Sequence, residues 1–115
     1  MTKILSVDDN PKLRRMIASV LKNRYDLFIE AEDGEEAFEL YKSNHPDYVI
    51  MDIEMKKVDG LTATKNIITY DPLANVIILT AHDKSVFRDA AMSAGAKAFL
   101  GKDDLTMLIN YVHKQ

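Results

Sequence analysis

Short apolar runs alternate along the chain with segments whose apolar residues recur at helical spacing, and this alternation restricts the possible folds more than any other feature. The runs Ile4 to Val7, Leu27 to Ala31, Tyr48 to Met51, Val76 to Leu79 and Ala96 to Leu100 read as strands. Several are apolar at nearly every position, as a strand covered on both faces requires. Between them, Leu13, Met16, Ile17, Val20 and Leu21 repeat with the period of a helix that buries one stripe. Phe87, Ala90, Ala91 and Ala94 form another stripe, closed by Gly95 as a C-cap, and Leu105, Leu108, Ile109 and Val112 form a third. Weaker stripes occur at Ala37, Leu40 and Tyr41, and at Leu61, Thr64, Ile67 and Ile68. Five strands alternating with five helices predict right-handed crossovers and a parallel sheet with helices on both faces. With 115 residues there is too little chain for an eight-stranded barrel or a second core, so an open doubly wound α/β sheet in one domain, residues 1–115, is expected.

Composition narrows the function. Hydrophobic residues make up 47% and charged residues 29%, an ordinary globular mix. Cysteine is absent, which removes disulfides, thiolate metal sites and Cys nucleophiles together and agrees with a reducing compartment. Fifteen Lys and Arg against eighteen Asp and Glu give a net charge of −3, without the basic footprint of a nucleic-acid binder. The apolar runs are far shorter than the roughly 20 residues that span a bilayer, so neither a membrane span nor a signal peptide is expected.

In a doubly wound sheet, ligands sit at the carboxyl ends of the strands. Those ends carry Asp8-Asp9, Asp52, Thr80-Ala81 and Gly101-Lys102. Three carboxylates on one rim repel strongly, since two charges about 4 Å apart interact by roughly 4 kcal/mol at an effective dielectric near 20. Either one carboxyl holds a proton or a cation occupies the cluster. Lys102 offsets one charge, and an oxygen-only ligand set suits Mg²⁺ better than Zn²⁺. His45, His82 and His113 are scattered and do not form a metal site. Mg²⁺ beside a carboxylate nucleophile, an ammonium and a hydroxyl supplies the parts for phosphoryl transfer. Asp52, alone at the end of a central strand, is assigned as nucleophile, and the adjacent Asp8 and Asp9 as metal ligands.

The chain resembles the receiver domains of two-component response regulators. The resemblance rests on Val7-Asp8-Asp9-Asn10, Pro46-Asp47 leading to Met51-Asp52, Met55 through Asp59-Gly60, Leu79-Thr80-Ala81, Ala94-Gly95-Ala96 and Phe99-Leu100-Gly101-Lys102, in that order and spacing. It implies a flavodoxin-like (βα)5 fold with strand order 2-1-3-4-5. It implies that Asp52 is the phosphoacceptor and that Asp8, Asp9, Asp52 and the Glu54 carbonyl hold Mg²⁺. Thr80, the Ala81 N–H and Lys102 would contact phosphoryl oxygens, and Thr80 and Phe99 would form a switch reported on the face of helix 4, strand 5 and helix 5. The implied partners are a sensor histidine kinase or histidine phosphotransferase and a downstream protein. The implied setting is a cytoplasmic signalling protein that promotes its own phosphorylation and dephosphorylation without being an enzyme in the ordinary sense, as a monomer or a weak phosphorylation-dependent dimer. Glu54 and His82 stand at positions that tune hydrolysis in the family.

Two departures bear on geometry. Lys56 and Asp103 stand where receivers often have proline. A cis bond before Asp103 would cost roughly 2.5–4 kcal/mol, so a trans bond is expected, with Gly101 able to absorb the change.

Plainer readings compete residue by residue. Asp8-Asp9 would serve as a helix cap, with Asn10-Pro11 sharing the capping work, Thr80 as an ordinary strand residue, Lys102 as a solvated lysine and Phe99 as core. Lys12, Arg14, Arg15, Lys22 and Arg24 read as a solvated face of the first helix, which in receivers is also where a kinase docks. Met107 and Tyr111 lie off the buried stripe as scatter or as a contact face. Two other functions compete. A haloacid-dehalogenase-like phosphatase would place its nucleophile after the first strand, with a second acid two residues later. A flavodoxin-like cofactor carrier would need a Ser/Thr/Gly-rich loop where Asp8-Asp9 stands.

Overall fold

In a computed structural model, which describes every residue but Lys56, His82, Asp83 and Gln115, the alternation resolves into a five-stranded parallel sheet. The strands are β1 (Lys3–Val7), β2 (Leu27–Ala31), β3 (Tyr48–Asp52), β4 (Val76–Thr80) and β5 (Ala98–Gly101), in the order β2-β1-β3-β4-β5. The helices are α1 (Pro11–Val20), α2 (Gly34–Asn44), α3 (Gly60–Tyr70), α4 (Lys84–Ser93) and a terminal 3-10 helix (Lys102–Asn110). This is the expected doubly wound, flavodoxin-like architecture. The chain leaves β1 toward β2 and returns to β3 on the other side, which puts the switch in winding direction between β1 and β3.

Every residue of β3 and β4 is buried, as their unbroken apolar runs require, whereas the edge strand β2 exposes Leu27 and Glu30. One face of the sheet packs Leu5, Val7, Val49, Met51 and Ile78 against Ala37, Tyr41, Ala63, Ile67 and Ala91. The other packs Ile4, Ile50, Ile77 and Leu79 against Ile17, Leu21, Leu105, Leu108 and Val112. Among the described residues no helix is long and apolar enough to cross a membrane.

Side-chain chemistry fixes the helix starts at the rim. Asn10 caps α1 by accepting from the Lys12 N–H at 3.0 Å, with Pro11 at the first helical position. Asp33 caps α2 through the Glu36 N–H at 2.9 Å, and Asp59 caps α3 through the Thr62 N–H at 2.8 Å. Gly95, at φ 105°, closes α4 with its N–H on Met92 O and the Ala96 N–H on Ala91 O, as expected.

Four details differ from the expectations drawn from sequence. Met16, expected in the buried stripe of α1, is 48% exposed, whereas Arg14 on the same helix is buried, at 7% exposure, alongside the expected Ile17. Ala90, expected in the stripe of α4, is exposed, while Ala91 and Ala94 carry the burial. The fifth helical segment, Lys102–Asn110, is two short 3-10 pieces rather than one α-helix, separated by a kink with non-helical backbone at Asp104 (φ −134°, ψ 51°). No cis peptide occurs in the described backbone, so the bond before Asp103 is trans, but Gly101 lies at an ordinary extended φ of −86° and the deviation falls on Asp104 instead.

Candidate functional site

The site forms where β1 and β3 end on either side of the switch in winding. Asp8 follows β1 and Asp52 is the last residue of β3, and both side chains are buried, at 2% and 5% exposure. Asp9 is exposed beside them, and one carboxylate oxygen from each of the three lies within 4.8 Å of the others. That spacing is close to the ~4 Å across an ion held by oxygens at about 2.0–2.1 Å, and the donor set is oxygen throughout. The residues therefore fit a hard divalent cation such as Mg²⁺.

Lys102 enters from the residue after β5. Its ammonium lies 3.0 Å from Asp8 Oδ2 and 3.0 Å from Asp52 Oδ1, bridging the two buried carboxylates. Asp8 Oδ1 accepts the Asn10 N–H at 2.9 Å. Burial, followed by the charge of Asp8, pushes the Asp52 carboxyl up to about 6, although Lys102 and the Glu54 N–H both favour its ionised form. For Lys102, burial works against the charge, but hydrogen bonds to Asp8 and Asp52 outweigh it and hold the ammonium above the ordinary lysine value. Asp52 thus combines a raised proton affinity with a cation already at hand.

Thr80, the last residue of β4, is 2% exposed, and its Cα pairs with Gly101 immediately before Lys102. Ala81 is exposed just past it. Glu54 is exposed, and its backbone N–H reaches the Asp52 carboxylate. Phe99 is 6% exposed, in the core cluster that contains Ala91, with half-buried Phe87 packed against that cluster. The fold brings Asp8, Asp9, Asp52 and Lys102 to one rim, and the cap of α1 is Asn10 rather than the acidic pair. Lys56 and His82 lie outside the described residues. Met107 and Tyr111 are 37% and 39% exposed.

Two features are not anticipated by the sequence pattern. Gly60 packs so tightly on the end of β3 that a Cβ there would overlap the Asp52 carbonyl oxygen and lie 2.8 Å from Ile53 Cα. Its N–H donates to Ile53 O at 2.8 Å, so the start of α3 braces the strand end that presents Asp52. The Asp59-Gly60 pair is the signal in the sequence that could have pointed to it. The second is Arg14, which is not part of a solvated face. Its Nε lies 2.8 Å from Glu30 Oε1 on β2, and its Nη1 donates to the backbone carbonyl of Asp8. Arg24 also turns inward, donating to Ile109 O and Val112 O at 3.5 and 3.3 Å.

An open parallel sheet with an acidic, lysine-bridged cluster at its switch point defines an α/β domain whose ligand site is built around carboxylates. Residues 4–113 match the response regulator receiver domain model, and the chain belongs to that family. Chemotaxis protein CheY of Bacillus subtilis is 43% identical over 101 residues, 87% of this chain and 84% of that protein. The crystal structure of a LuxR-family two-component response regulator from Aurantimonas superposes with a TM-score of 0.86 at 33% identity, covering 96% of this chain and 81% of that one. The CheY in the CheX–CheY–BeF3–Mg²⁺ complex of Borrelia burgdorferi gives 0.83 at 28% identity, covering 95% and 89%. The chain is thus a receiver domain of the CheY-like kind, the phosphoacceptor component of two-component signalling, a class that is generally non-enzymatic. The phosphatase alternative finds no support in these relationships.

Proposed function

We propose that Asp52 accepts a phosphoryl group from a phosphohistidine and that the modification switches a protein-interaction surface. The observation that carries this reading is the placement of the Lys102 ammonium 3.0 Å from both Asp52 and Asp8, beside exposed Asp9. Asp8, Asp9, Asp52 and the Glu54 carbonyl would hold Mg²⁺. Bound there, the ion would neutralise negative charge spread over the transferring phosphoryl oxygens.

The Asp52 carboxylate attacks phosphorus, the P–N bond to the donor imidazole breaks, and the imidazole leaves neutral after taking a proton. Lys102, Thr80 and the Ala81 N–H then contact phosphoryl oxygens. Movement of Thr80 draws on Phe99, changing the face built by α4, β5 and the terminal helix, where a downstream protein docks. Return to the resting state is hydrolysis: water attacks phosphorus, the acyl–phosphate bond breaks, and Asp52 regains its carboxylate. The setting is cytoplasmic, and the donor is a sensor histidine kinase or a histidine phosphotransferase. The Borrelia relative was solved with CheX, BeF3 and Mg²⁺, which supports a metal-dependent phosphoryl site and a protein partner here.

Phosphoramidate carries the same P–N bond and serves as a minimal donor. With Mg²⁺ it adds one phosphoryl group to the wild-type chain, read by intact mass. Chelation of the metal or Asp9→Ala slows the reaction by about 100-fold, at the strong end of single-group electrostatic losses. Labelling that proceeds equally with and without Mg²⁺ sinks the metal-dependent mechanism.

A further inference from the structure

We infer that Arg14 is a positioning residue for the acidic cation site, a role that rests on the Mg²⁺ reading above. Asp8 is held at every polar group it owns. Its N–H donates to Ala31 O at 3.1 Å, its Oδ1 accepts from Asn10 at 2.9 Å, and its Oδ2 faces Lys102 at 3.0 Å. The remaining acceptor, the backbone carbonyl, takes Arg14 Nη1. That carbonyl belongs to the peptide linking Asp8 to Asp9, so the guanidinium fixes the plane from which the exposed Asp9 carboxylate projects.

The fork is anchored in turn. Arg14 Nε lies 2.8 Å from Glu30 Oε1, and the arginine side chain is 9% exposed against 45% for the glutamate. Glu30 pairs with Ser6 across the β1–β2 ladder, so the latch ties α1, β1 and β2 together directly beneath the rim. A cation built this close to a cation site opposes metal binding by charge alone. Its placement is explained by geometry, with Glu30 balancing the charge so that the peptide is clamped without a net positive centre. A planar guanidinium contacts two acceptors at once, which a lysine ammonium on a flexible stem does not reproduce.

Charge and geometry make opposite predictions for the same substitution. Removing a positive charge near the site tightens Mg²⁺ if only the field matters. Loosening the Asp8–Asp9 peptide weakens it, and loss of an outer support of a metal ligand typically costs 10–100-fold in affinity. The test is isothermal titration of the unphosphorylated chain with MgCl₂, alongside circular dichroism and a melting curve in the absence of metal. Wild type binds, and Arg14→Met and Arg14→Lys each bind Mg²⁺ about tenfold more weakly. Arg14→Lys keeps the charge, and it decides the matter alone if Arg14→Met does not fold. An unchanged Kd in Arg14→Lys, or an unchanged or tighter Kd in folded Arg14→Met, overturns the positioning role even if melting temperatures fall. Absence of Mg²⁺ binding by the wild type overturns the metal reading and this role together.

Discussion

Gly60→Ala unfolds the protein at a lower denaturant concentration and costs about 3 kcal/mol or more, the upper range for overpacking a filled site. The added methyl overlaps the Asp52 carbonyl oxygen and approaches Ile53 Cα at 2.8 Å. Both neighbours are backbone, at the end of a strand buried from end to end, so nothing flexible is available to give way. Relief requires moving the start of α3 away from β3, which breaks the Gly60 N–H bond to Ile53 O. The same movement displaces the last residue of β3, Asp52, so phosphoryl labelling falls with stability. The matching control is Ala63→Gly, on the same helix, which removes a buried methyl and lowers stability while leaving the strand end in place. Urea titration with labelling of both variants separates the two effects. A Gly60→Ala protein of wild-type stability would mean that the close approach to Asp52 is not there.

The second large effect has the opposite sign. Asp52→Asn stabilises the metal-free protein at neutral pH. Burial and Asp8 raise the carboxyl from 3.8 to about 6, so the folded state binds its proton more tightly than the unfolded state does. Stability supplied by the neutral carboxyl is complete below pH about 3.8 and is lost as the pH rises through about 6. Above that pH the ionised side chain costs the native state on the order of 3 kcal/mol, since each tenfold change in proton affinity is worth about 1.4 kcal/mol. The amide carries no charge to desolvate. At pH 7.5 without divalent metal, Asp52→Asn therefore melts roughly ten degrees above wild type. The difference shrinks toward pH 4 and also when Mg²⁺ stabilises the wild type. Melting curves at pH 4 and 7.5 check this, and a variant less stable than wild type at both would show that Asp52 contributes more as an ion-pair partner of Lys102 than it costs by burial.

Why some of this is legible in the sequence and some is not follows from what hydropathy encodes. Strands β3 and β4 stand out because a strand covered on both faces must be apolar at successive positions. The acidic pair and Asp52 stand out because charges directly after such runs have to sit at strand ends. Arg14 and Met16 exchange their expected places because hydropathy ranks a guanidinium as solvent-seeking. It does not register that Glu30, on a neighbouring strand, and the Asp8 carbonyl offer that guanidinium partners inside. The terminal helix misleads for a related reason. The three-residue step from Leu105 to Leu108 suits a period of 3.0 as well as 3.6, so burying this stripe does not distinguish 3-10 from α. Gly60 is visible as part of a motif, but its purpose depends on a backbone approach between segments that no local pattern encodes.

The central claim is that Asp52 is the residue that becomes phosphorylated. Acetyl phosphate with Mg²⁺, followed by borohydride reduction and peptide mass mapping, tests it most directly, because an aspartyl phosphate is reduced to homoserine at the modified position. Wild type should gain one phosphoryl group and show homoserine at position 52, and Asp52→Asn should gain none. Equal labelling of the two proteins, or homoserine at Asp8 or Asp9 instead, would contradict the assignment.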